Sequence, residues 1–475
     1  MIGLQELNLA YRWPITYWNT AVLTVDAGIL EDNGTTNYGK VSTAIGTMQR
    51  DDITITPPLI NQADNRFKPD ADNNRIIYGF QAARGLGSKV INEVISKRPY
   101  NSFDDFIKKV DRSIVTDSKM VQLIKSGAFD EFEEKQTIMK RFIKSLVHPV
   151  TKLGLNQLNN AREMGVINEE SPVFLHSRMN AYKNVILGDN FFYDTVIIPE
   201  KKVPKSGYHD RLFKLNKITQ EFFKENYSED SVVDCVGNDY VISEKKFLKE
   251  WKEKYIKPLI EWMNQPPVIE AYNKAMYEQL FNQMVKTDPI HWEVEALGYY
   301  PKEHELSHVD LKEYGVLDYF ELPDQPEPYD YIPRWVKDEN GKSVQRLYPR
   351  YTISRIGGTV VDFDSLHSTV SLLTPTGVVQ IKFNSGQYQF YNRRISEQDG
   401  KGKKTVIDEN WFKRNTVLFV VGYRQGDYFR AHKYSDSIYK HTVTRINGYN
   451  KTEGGKYIPI LQNERAIAEE ETNGY

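Results

Sequence analysis

Hydrophobic positions recur at helical spacing through the first 285 residues of the chain. Apolar residues three or four apart predict one helix over 1–30 and a second over 38–49. Residues 75–147 read as a compact run of short helices. From about 150 to 285 the pattern is helical and charged. The two clearest amphipathic stretches there are 212–227 and 244–262.

The period changes to two near residue 353. Alternating β-branched and aromatic positions predict four strands, at 353–361, 369–373, 378–383 and 417–423. A helical segment rich in Tyr and Phe at 386–395 interrupts the strands, as in a five-stranded OB-fold barrel. Before them, 318–333 carries four prolines among acidic residues and predicts a stiff linker.

Charge is unevenly placed along the chain, although the formal net charge is only −2. Residues 341–460 hold 19 Lys and Arg against 9 Asp and Glu, whereas 291–340 hold 4 against 13. A locally basic region is the footprint expected of nucleic-acid contact, and an acidic linker is expected to stay away from phosphate. The near-neutral total argues against a protein that coats DNA with its whole surface.

Two glycines bracket Leu86 between two short amphipathic segments, 76–84 and 88–98. Because glycine tolerates a positive φ, this spacing predicts a tight turn between two helices, a helix-hairpin-helix. The amides that open the second helix lack intrahelical partners and attract anions, phosphate above all. A G-x-G between helices is also an ordinary turn. We predict duplex-backbone contacts at Arg84, Gly85, Leu86, Gly87, Ser88 and Lys89.

Several short motifs follow one another along the chain: LAYRWPITYW with LT at 9–24, ITITPPLINQADN at 53–65, RIIYGFQAARGLGSKVINEVISKR at 75–98, FDDF at 103–106, LIKSGAFD at 123–130 and EALGYY at 295–300. In kind and order they resemble motifs of the C-terminal half of bacterial and phage DNA polymerase III alpha subunits, the family C polymerases. The resemblance covers about 1–135, 290–310 and 350–435. Residues 150–285 have no counterpart in it.

The resemblance implies an OB-fold after the EALGYY block, and such folds bind single strands through basic grooves and aromatic platforms. Our candidates in that fold are Arg355, Lys382, Tyr423, Arg424, Tyr428 and Arg430. Alternating aromatic residues in strands also commonly form a core. Tyr388, Phe390 and Tyr391 are expected to close the bottom of the barrel.

The paired catalytic aspartates of the family's palm have no match in this sequence. Nucleotidyl transfer needs carboxylates that hold two Mg²⁺ ions. The segment 361–365 (VDFDS) offers two, but it reads as the end of a strand. We expect no catalytic residue and no cofactor in this chain, and Mg²⁺ in the palm of a partner chain.

His304 to His308 spells H-E-x-x-H, the pattern of zinc metalloproteases. No convincing third ligand follows, although Glu313 and Glu321 remain candidates. The resemblance also accounts for a histidine at position 304 without zinc. We therefore expect no metal here; stoichiometric zinc in the purified chain would reverse this.

The single cysteine, Cys235, excludes a disulfide scaffold and a cysteine-based zinc site within the chain. No apolar run is long enough for a membrane span, and no signal-peptide pattern opens the chain. The cytoplasm of a bacterial host is the expected compartment.

We therefore expect an α+β multidomain protein. Its parts are an end-of-fingers-like helical region (1–60), a helical helix-hairpin-helix domain (61–147), a helical insertion of unknown role (148–290), a connecting segment with the acidic linker (291–345), a C-terminal OB-fold β-barrel (346–440) and a tail (441–475).

The expected function is to grip primer–template duplex and single-stranded template as part of a DNA-directed DNA polymerase. A separate chain would supply palm, thumb and fingers, and binding to a sliding clamp stays open. The alternative is a stand-alone, non-catalytic DNA-binding protein of replication or repair. A neighbouring reading frame that encodes the palm would favour the first.

Overall fold

The computed structural model describes residues 11–28, 36–50, 52–167, 172–188, 192–193, 211–301, 303–337, 339, 341–398, 404–432, 441–452 and 456–466. The chain divides into two compact units. One comprises Met1–Lys140 with Val285–Tyr475, and the other comprises Arg141–Met284. Within the described residues, no helix is both long and apolar enough to cross a membrane.

Short helices around a small sheet form the part of the first unit that precedes residue 140. The helices are α1 (Ile15–Asp26), α2 (Tyr38–Arg50), α3 (Ser88–Ser96), α4 (Phe103–Lys109), α5 (Asp117–Lys125) and α6 (Lys135–Leu146), which runs on into the second unit. The strands are β1 (Thr54–Thr56), β2 (Lys68–Asp70) and β3 (Arg75–Ile77). The central strand β3 is parallel to β1 and antiparallel to β2.

The predicted helix over 38–49 is confirmed in α2, whereas the single helix predicted over 1–30 is confirmed only in α1, because the chain is not helical at Trp13 and Pro14. Residues 1–10 and 29–30, which the first prediction also included, lie outside the described residues. The predicted helix over 76–84 is wrong. Ile76 and Ile77 are buried in β3 and pair with β1, and only Phe80–Ala82 form a 3₁₀ turn. β-branched side chains that can be buried in a sheet outweigh the helical spacing here.

The second helix of the predicted hairpin is confirmed as α3. It ends at Ser96 rather than at residue 98, because Pro99 disfavours a helical conformation in the residue before it. Downstream, the Ser102 side chain accepts a hydrogen bond from the Asp105 amide and so caps α4. Phe103 and Phe106 of this helix pack edge-on against Phe129, with ring centroids 5.0 and 4.9 Å away.

The second unit is helical, as expected, but it also contains a sheet that the hydrophobic pattern does not predict. Its helices are α7 (Leu158–Glu163), α8 (Pro172–Gly188), α9 (Lys217–Asn226), α10 (Glu244–Trp251), α11 (Lys257–Met263) and α12 (Pro266–Val285). Its strands are β4 (Phe192–Tyr193), β5 (Leu212–Lys214), β6 (Val232–Val236) and β7 (Asp239–Ser243), antiparallel in the order β4-β5-β7-β6.

In the stretch 212–227, one capping residue explains why the helix begins later than predicted. The stretch 212–227 has a helical period but begins as strand β5. The side chain of Asn216 accepts a hydrogen bond from the Thr219 amide at 2.9 Å and starts α9 there. The predicted helical stretch 244–262 is confirmed as α10 and α11, joined through a π-helical turn at Lys252–Ile256.

The chain returns to the first unit through α13 (Trp292–Leu297). This helix ends at Gly298, whose φ of +80° is left-handed and favours glycine. Further on, β8 (Pro328–Lys337) and β9 (Ser343–Tyr351) pair as an antiparallel ribbon. The predicted linker at 318–333 is therefore wrong in its second half, since those residues enter a strand. Pro328 and Pro333 are compatible with a two-stranded ribbon, where one edge of each strand stays unpaired.

A closed five-stranded barrel follows, as predicted for an OB-fold. It consists of β10 (Ser354–Asp364), β11 (Thr369–Thr374), β12 (Gly377–Lys382), β15 (Val417–Gln425) and β16 (Tyr428–Ala431). The order around the barrel is β10-β11-β12-β16-β15, and β10 also pairs with β15 to close it. Only the pairing of β12 with β16 is parallel. A bulge between Val360 and Asp362 lets the long β10 serve both neighbours.

The remaining elements close or extend the barrel. They are α14 (Ser385–Asn392), the hairpin β13 (Ile395–Gln398) and β14 (Lys404–Asp408), and the extension β17 (Val443–Lys451) and β18 (Tyr457–Gln462). Tyr388 and Tyr391 of α14 are buried against Trp411 and Phe412 in the barrel core, as expected of residues that close the barrel. Phe390, predicted with them, is partly exposed instead.

Candidate nucleic-acid interface

The turn between Phe80–Ala82 and α3 forms an exposed corner. Gly85 has φ +76°, so the turn requires a left-handed residue at that position. Gly87 is different, because its φ of −92° suits any residue and a Cβ there would meet nothing within 4 Å. Gly87 is the N-cap of α3 and no side chain caps the helix. The first amides of α3, at Ser88 and Lys89, therefore open toward solvent with the positive end of the helix dipole.

Two cationic side chains, Lys119 and Arg84, stabilise the conformation of this turn. The Lys119 ammonium of α5 donates a hydrogen bond to the Gly85 carbonyl at 2.6 Å. The guanidinium of Arg84 lies 4.2 Å from the centroid of the Tyr38 ring, and burial lowers the pKa of Arg84. Leu86 is buried. Of the six predicted backbone contacts, Gly85, Gly87, Ser88 and Lys89 lie at the exposed corner, while Arg84 and Leu86 fix the turn to the interior.

The short motifs that carry the family resemblance meet behind this corner. The Arg84 amide donates to the Ala296 carbonyl at 2.8 Å, and the Tyr78 hydroxyl donates to the Leu297 carbonyl at 2.7 Å. The Tyr78 ring stacks on Tyr299 at 5.4 Å. Here a Cβ on Gly298 would come within 2.7 Å of the Tyr38 ring. The EALGYY segment is therefore the support on which the glycine corner rests, rather than a surface of its own.

On the barrel, four of the six predicted single-strand contacts lie close together. In strand register Tyr423 pairs with Arg430, and Arg430 pairs with Lys382 across the parallel strands. Lys382 also approaches the Tyr428 ring, with its Nζ 5.5 Å from the ring centroid. Tyr351, at the end of β9, packs against Tyr423 with ring centroids 5.0 Å apart. We call Tyr351, Lys382, Tyr423, Tyr428 and Arg430 the barrel row.

The other two predicted contacts, Arg424 and Arg355, bind groups within the protein. Arg424 donates to the Leu322 carbonyl at 2.8 Å and pairs with Asp324 at 2.6 Å. It therefore holds the acidic segment before the ribbon against the barrel. Arg355 donates to the Tyr314 carbonyl at 3.0 Å. Sequence reasoning could not separate these arginines from Arg430, because all lie in strands of the same basic region.

Helix α2 packs on the outer surface of the barrel at strands β10 to β12. A cleft of about 590 Å³ lies between α1, α2 and these strands, and its lining includes Trp18, Lys40, Asp362, Ser371 and Gln380.

Each acidic residue of VDFDS has its own partners within the fold. The Asp362 carboxylate pairs with Arg414 at 2.9 Å. The Asp364 carboxylate accepts from the Leu366 amide at 2.8 Å and faces the His367 ring at 2.5 Å. The interpretation of this segment as the end of a strand is confirmed, since β10 ends at Asp364. In the part of the chain that the structure describes, no cluster of three acidic, histidine or cysteine side chains is placed to bind a metal.

The two histidines of H-E-x-x-H have separate environments. Glu305–His308 form a 3₁₀ turn rather than an α-helix, so the two rings are not one helical turn apart. His304 is buried; its Nδ1 accepts from the Leu306 amide at 3.0 Å and its Nε2 faces the Thr359 hydroxyl at 3.1 Å. Burial lowers the pKa of His304 to about 4. His308 is exposed.

Glu305 is the buried centre of this network. His291 Nδ1 lies 2.9 Å from Glu305 Oε1, and the Tyr300 hydroxyl donates to the same oxygen. Burial opposes charge on both His291 and Glu305. Their mutual attraction is stronger, so the pKa of His291 is raised and that of Glu305 is lowered. The network joins α13, the 3₁₀ turn and β10, which indicates a structural role.

Sequence reasoning missed two groups near these surfaces. Lys119 is one, since a lysine on an amphipathic helix gives no signal of contact with a turn 34 residues away. The ribbon β8–β9 is the other, with Tyr351 at its base. Its alternating tyrosine, tryptophan and arginine residues were the available signal, and prolines and acidic neighbours obscured it.

Comparison with known proteins agrees with the resemblance drawn from the motifs. A family model described as a helix-hairpin-helix motif matches residues 52–139. The chain is 38% identical over 459 residues to "Probable DNA polymerase YorL" of Bacillus subtilis, and equally to a "DNA-directed DNA polymerase" of Bacillus phage SPbeta. Each alignment covers 94% of this chain and 33% of the relative. "DNA polymerase III subunit alpha" of Borreliella burgdorferi is 29% identical over 173 residues, 34% of this chain and 14% of that protein.

The chain thus spans about a third of the length of the two relatives that it matches almost throughout. The helix-hairpin-helix match, the barrel topology and the named relatives agree with one another. Over almost its whole length the chain is similar to these polymerases, and the comparisons agree with its resemblance to the C-terminal half of DNA polymerase III alpha subunits, the family C polymerases.

Proposed function

We propose that this chain is the DNA-handling portion of a family C replicative polymerase. The glycine corner binds the sugar-phosphate backbone of primer–template duplex, and the barrel row contacts the single-stranded template. The observation that carries the proposal is the open, uncapped start of α3 at Gly87, beside the exposed Lys89. Free amides, a helix dipole and a cation at one corner are the recurring elements of phosphate recognition.

The geometry at Gly87 suits close approach of a ligand. Its backbone conformation does not require glycine, and nothing in the described chain would collide with a side chain there. We expect a methyl group at this position to hinder the approach of a phosphate to the Ser88 and Lys89 amides. Backbone contact at this corner would carry no base specificity, because phosphates are the same in every sequence.

The chemistry of nucleotide addition belongs in this proposal to a palm outside the described surfaces, which supplies the carboxylates for Mg²⁺. The exposed aromatic residues within α1 and just before it are a candidate contact with that palm-bearing part or with the fingers. Tyr11 is 93% exposed, and Trp13, Tyr17 and Trp18 are also exposed. Burial of such rings against another surface is favourable at roughly 25 cal/mol per Å².

A direct test measures the affinity of the full chain for labelled primed duplex by fluorescence anisotropy. The variants are Gly87→Ala and Lys89→Ala, with Lys97→Ala at the other end of α3 as the matched control. We expect sequence-independent binding that Gly87→Ala weakens about tenfold, as for the loss of about 1.4 kcal/mol of phosphate contact. Unchanged affinity in the double variant Gly87→Ala/Lys89→Ala would remove the glycine corner from the proposal.

The assembly has its own test. A palm-bearing polypeptide from the same host, added to the purified chain, should restore primer extension that neither shows alone. Primer extension by the purified chain without it would contradict the division of labour proposed here.

A further inference from the structure

The ribbon β8–β9 projects side chains into solvent along almost its whole length. Strand alternation gives it two faces. One face carries Tyr331, Trp335 and Leu347, which are 54, 70 and 67% exposed. We call this the aromatic face. Pro349 lies directly opposite Tyr331, and Leu347 lies opposite Pro333, so this face is apolar over its central length.

The second face is basic. Arg334 pairs in register with Arg346, and Arg350 lies opposite Asp330 with its Nη1 3.9 Å from that carboxylate. The Arg334 guanidinium lies 5.7 Å from the centroid of the Tyr348 ring on the same face. Three arginines against one aspartate give this face a positive potential. The residues of the aromatic face include one charged side chain, Lys337, at the outer end of β8.

Within the described residues the ribbon pairs with no third strand and leaves large rings exposed. Isolated hairpins are marginal in water, and an exposed Trp and Leu on one face favour association with a ligand. Of the possible ligands, an anionic polymer with flat apolar units fits both faces. The bases of a single strand stack on aromatic rings, while arginines attract its phosphates.

The base of the ribbon connects this surface to the barrel row. Tyr351 lies on the same strand face as Pro349 and Leu347, which precede it by two and four residues. Its ring packs 5.0 Å from that of Tyr423, which pairs with Arg430. Aromatic and basic side chains therefore run from Trp335 at the outer part of the ribbon to Lys382 on the barrel.

We propose that the aromatic face of the ribbon binds single-stranded DNA, whose bases stack on Trp335 and Tyr331 before the strand reaches the barrel row. This inference rests on the proposed DNA-handling function and names a contact for single-stranded template outside the barrel. The arginines of the opposite face supply long-range attraction and make the binding salt-dependent.

The test compares the full chain with Trp335→Ala, Tyr331→Ala and their combination. A labelled oligothymidylate of about 30 nucleotides reports single-strand affinity, and a blunt duplex reports duplex affinity. We expect each substitution to weaken oligothymidylate binding about tenfold, the usual effect of losing one stacked base. Duplex affinity should remain within about twofold. Trp335→Phe should retain most of the affinity, since it keeps a flat ring.

Tyr348→Ala, on the basic face, is the matched control and should have a small effect. If it weakens oligothymidylate binding as much as Trp335→Ala does, the ribbon acts through its folding and the inference is wrong. Unchanged oligothymidylate affinity in the double variant also overturns it and leaves a protein as the ligand of this face. A chain that binds the duplex but not the oligothymidylate rejects the ribbon contact while the glycine corner stands. A chain that binds neither rejects the proposed function.

Discussion

The Lys125 ammonium lies 2.7 Å from the Glu295 carboxylate, although 170 residues separate the two in sequence. The lysine side chain is 1% exposed and donates a second hydrogen bond to the Val285 carbonyl at 2.6 Å. Burial lowers the pKa of Lys125, and the bond to Glu295 opposes that shift. This contact joins α5, which closes the helix-hairpin-helix region, to α13, which supports the glycine corner.

Replacing this lysine should destabilise the first unit. Lys125→Met leaves the Glu295 carboxylate with the Thr287 hydroxyl and without a cation, and breaking such a pair costs about 3 kcal/mol. Urea unfolding measures the loss. The double variant Lys125→Met/Glu295→Leu should recover part of it, because both polar partners are then removed. Additive losses in the double variant would show that the two side chains do not stabilise each other.

The two glycines of the corner should respond differently to alanine. Gly85→Ala places a Cβ on a residue with φ +76° and should cost about 1–2 kcal/mol of unfolding free energy. Gly87→Ala should cost less than about 1 kcal/mol, since its φ is −92° and the space around it is open. Thermal or urea unfolding distinguishes them. Equal destabilisation would mean that the turn does not have the conformation described.

The stability of the first unit should fall between pH 6.5 and 4 through His304. Its pKa is about 4 in the fold and near 6.5 in the unfolded chain. Because burial penalises the protonated ring, this group costs the fold nothing above pH 6.5 and up to about 3 kcal/mol as the pH falls through 4. The raised pKa of His291 acts in the opposite direction, since its contribution is present below pH 6.5 and is lost at higher pH.

A variant can separate the two histidines. His304→Asn keeps an acceptor for the Leu306 amide and removes the titrating ring. Its deficit against the unmodified chain should be largest at pH 7 and shrink toward pH 4, in urea unfolding followed by circular dichroism. His308→Asn, at an exposed ring, is the control. A deficit that does not change with pH would assign His304 a packing role alone.

Lysine substitution at the corner should change the salt dependence of duplex binding. Each phosphate contact contributes a slope of about 0.9 in a plot of log affinity against log salt concentration. Lys89→Ala should therefore lower the slope by about one on any duplex sequence. Lys97→Ala should leave it unchanged. Loss of affinity on only some sequences would indicate base recognition instead.

The barrel could be predicted from sequence and the ribbon could not, for physical reasons. Barrel strands β12 and β16 alternate buried and more exposed residues, as Phe429 and Arg430 do, and β10 and β15 are continuous runs rich in buried β-branched residues, so both kinds of strand are visible in the sequence. The ribbon buries neither face, and Pro328 and Pro333 resemble linker residues. In the segment 76–84, helical spacing and β-branched residues compete, and pairing with β1, which is not encoded locally, decides between them.

The chemistry of the candidate site could be predicted from the sequence, but the set of side chains that form it could not. The G-x-G spacing indicates the turn and Lys89 its cation. Whether an arginine points outward depends on partners far along the chain. Arg84 packs over the Tyr38 ring, and Arg424 forms an ion pair with Asp324. No local pattern distinguishes these from Arg430.

The ribbon's length has a consequence for the size of the bound oligomer. Strands of ten and nine residues span about 30 Å. A polynucleotide that lies along this length and then crosses the barrel occupies a footprint longer than the roughly 4–16 nucleotides of one OB-fold. Stoichiometric titration with oligomers of increasing length measures the number of nucleotides that one chain occludes. The excess of this number over the site size of an OB-fold is the number of nucleotides bound by the ribbon.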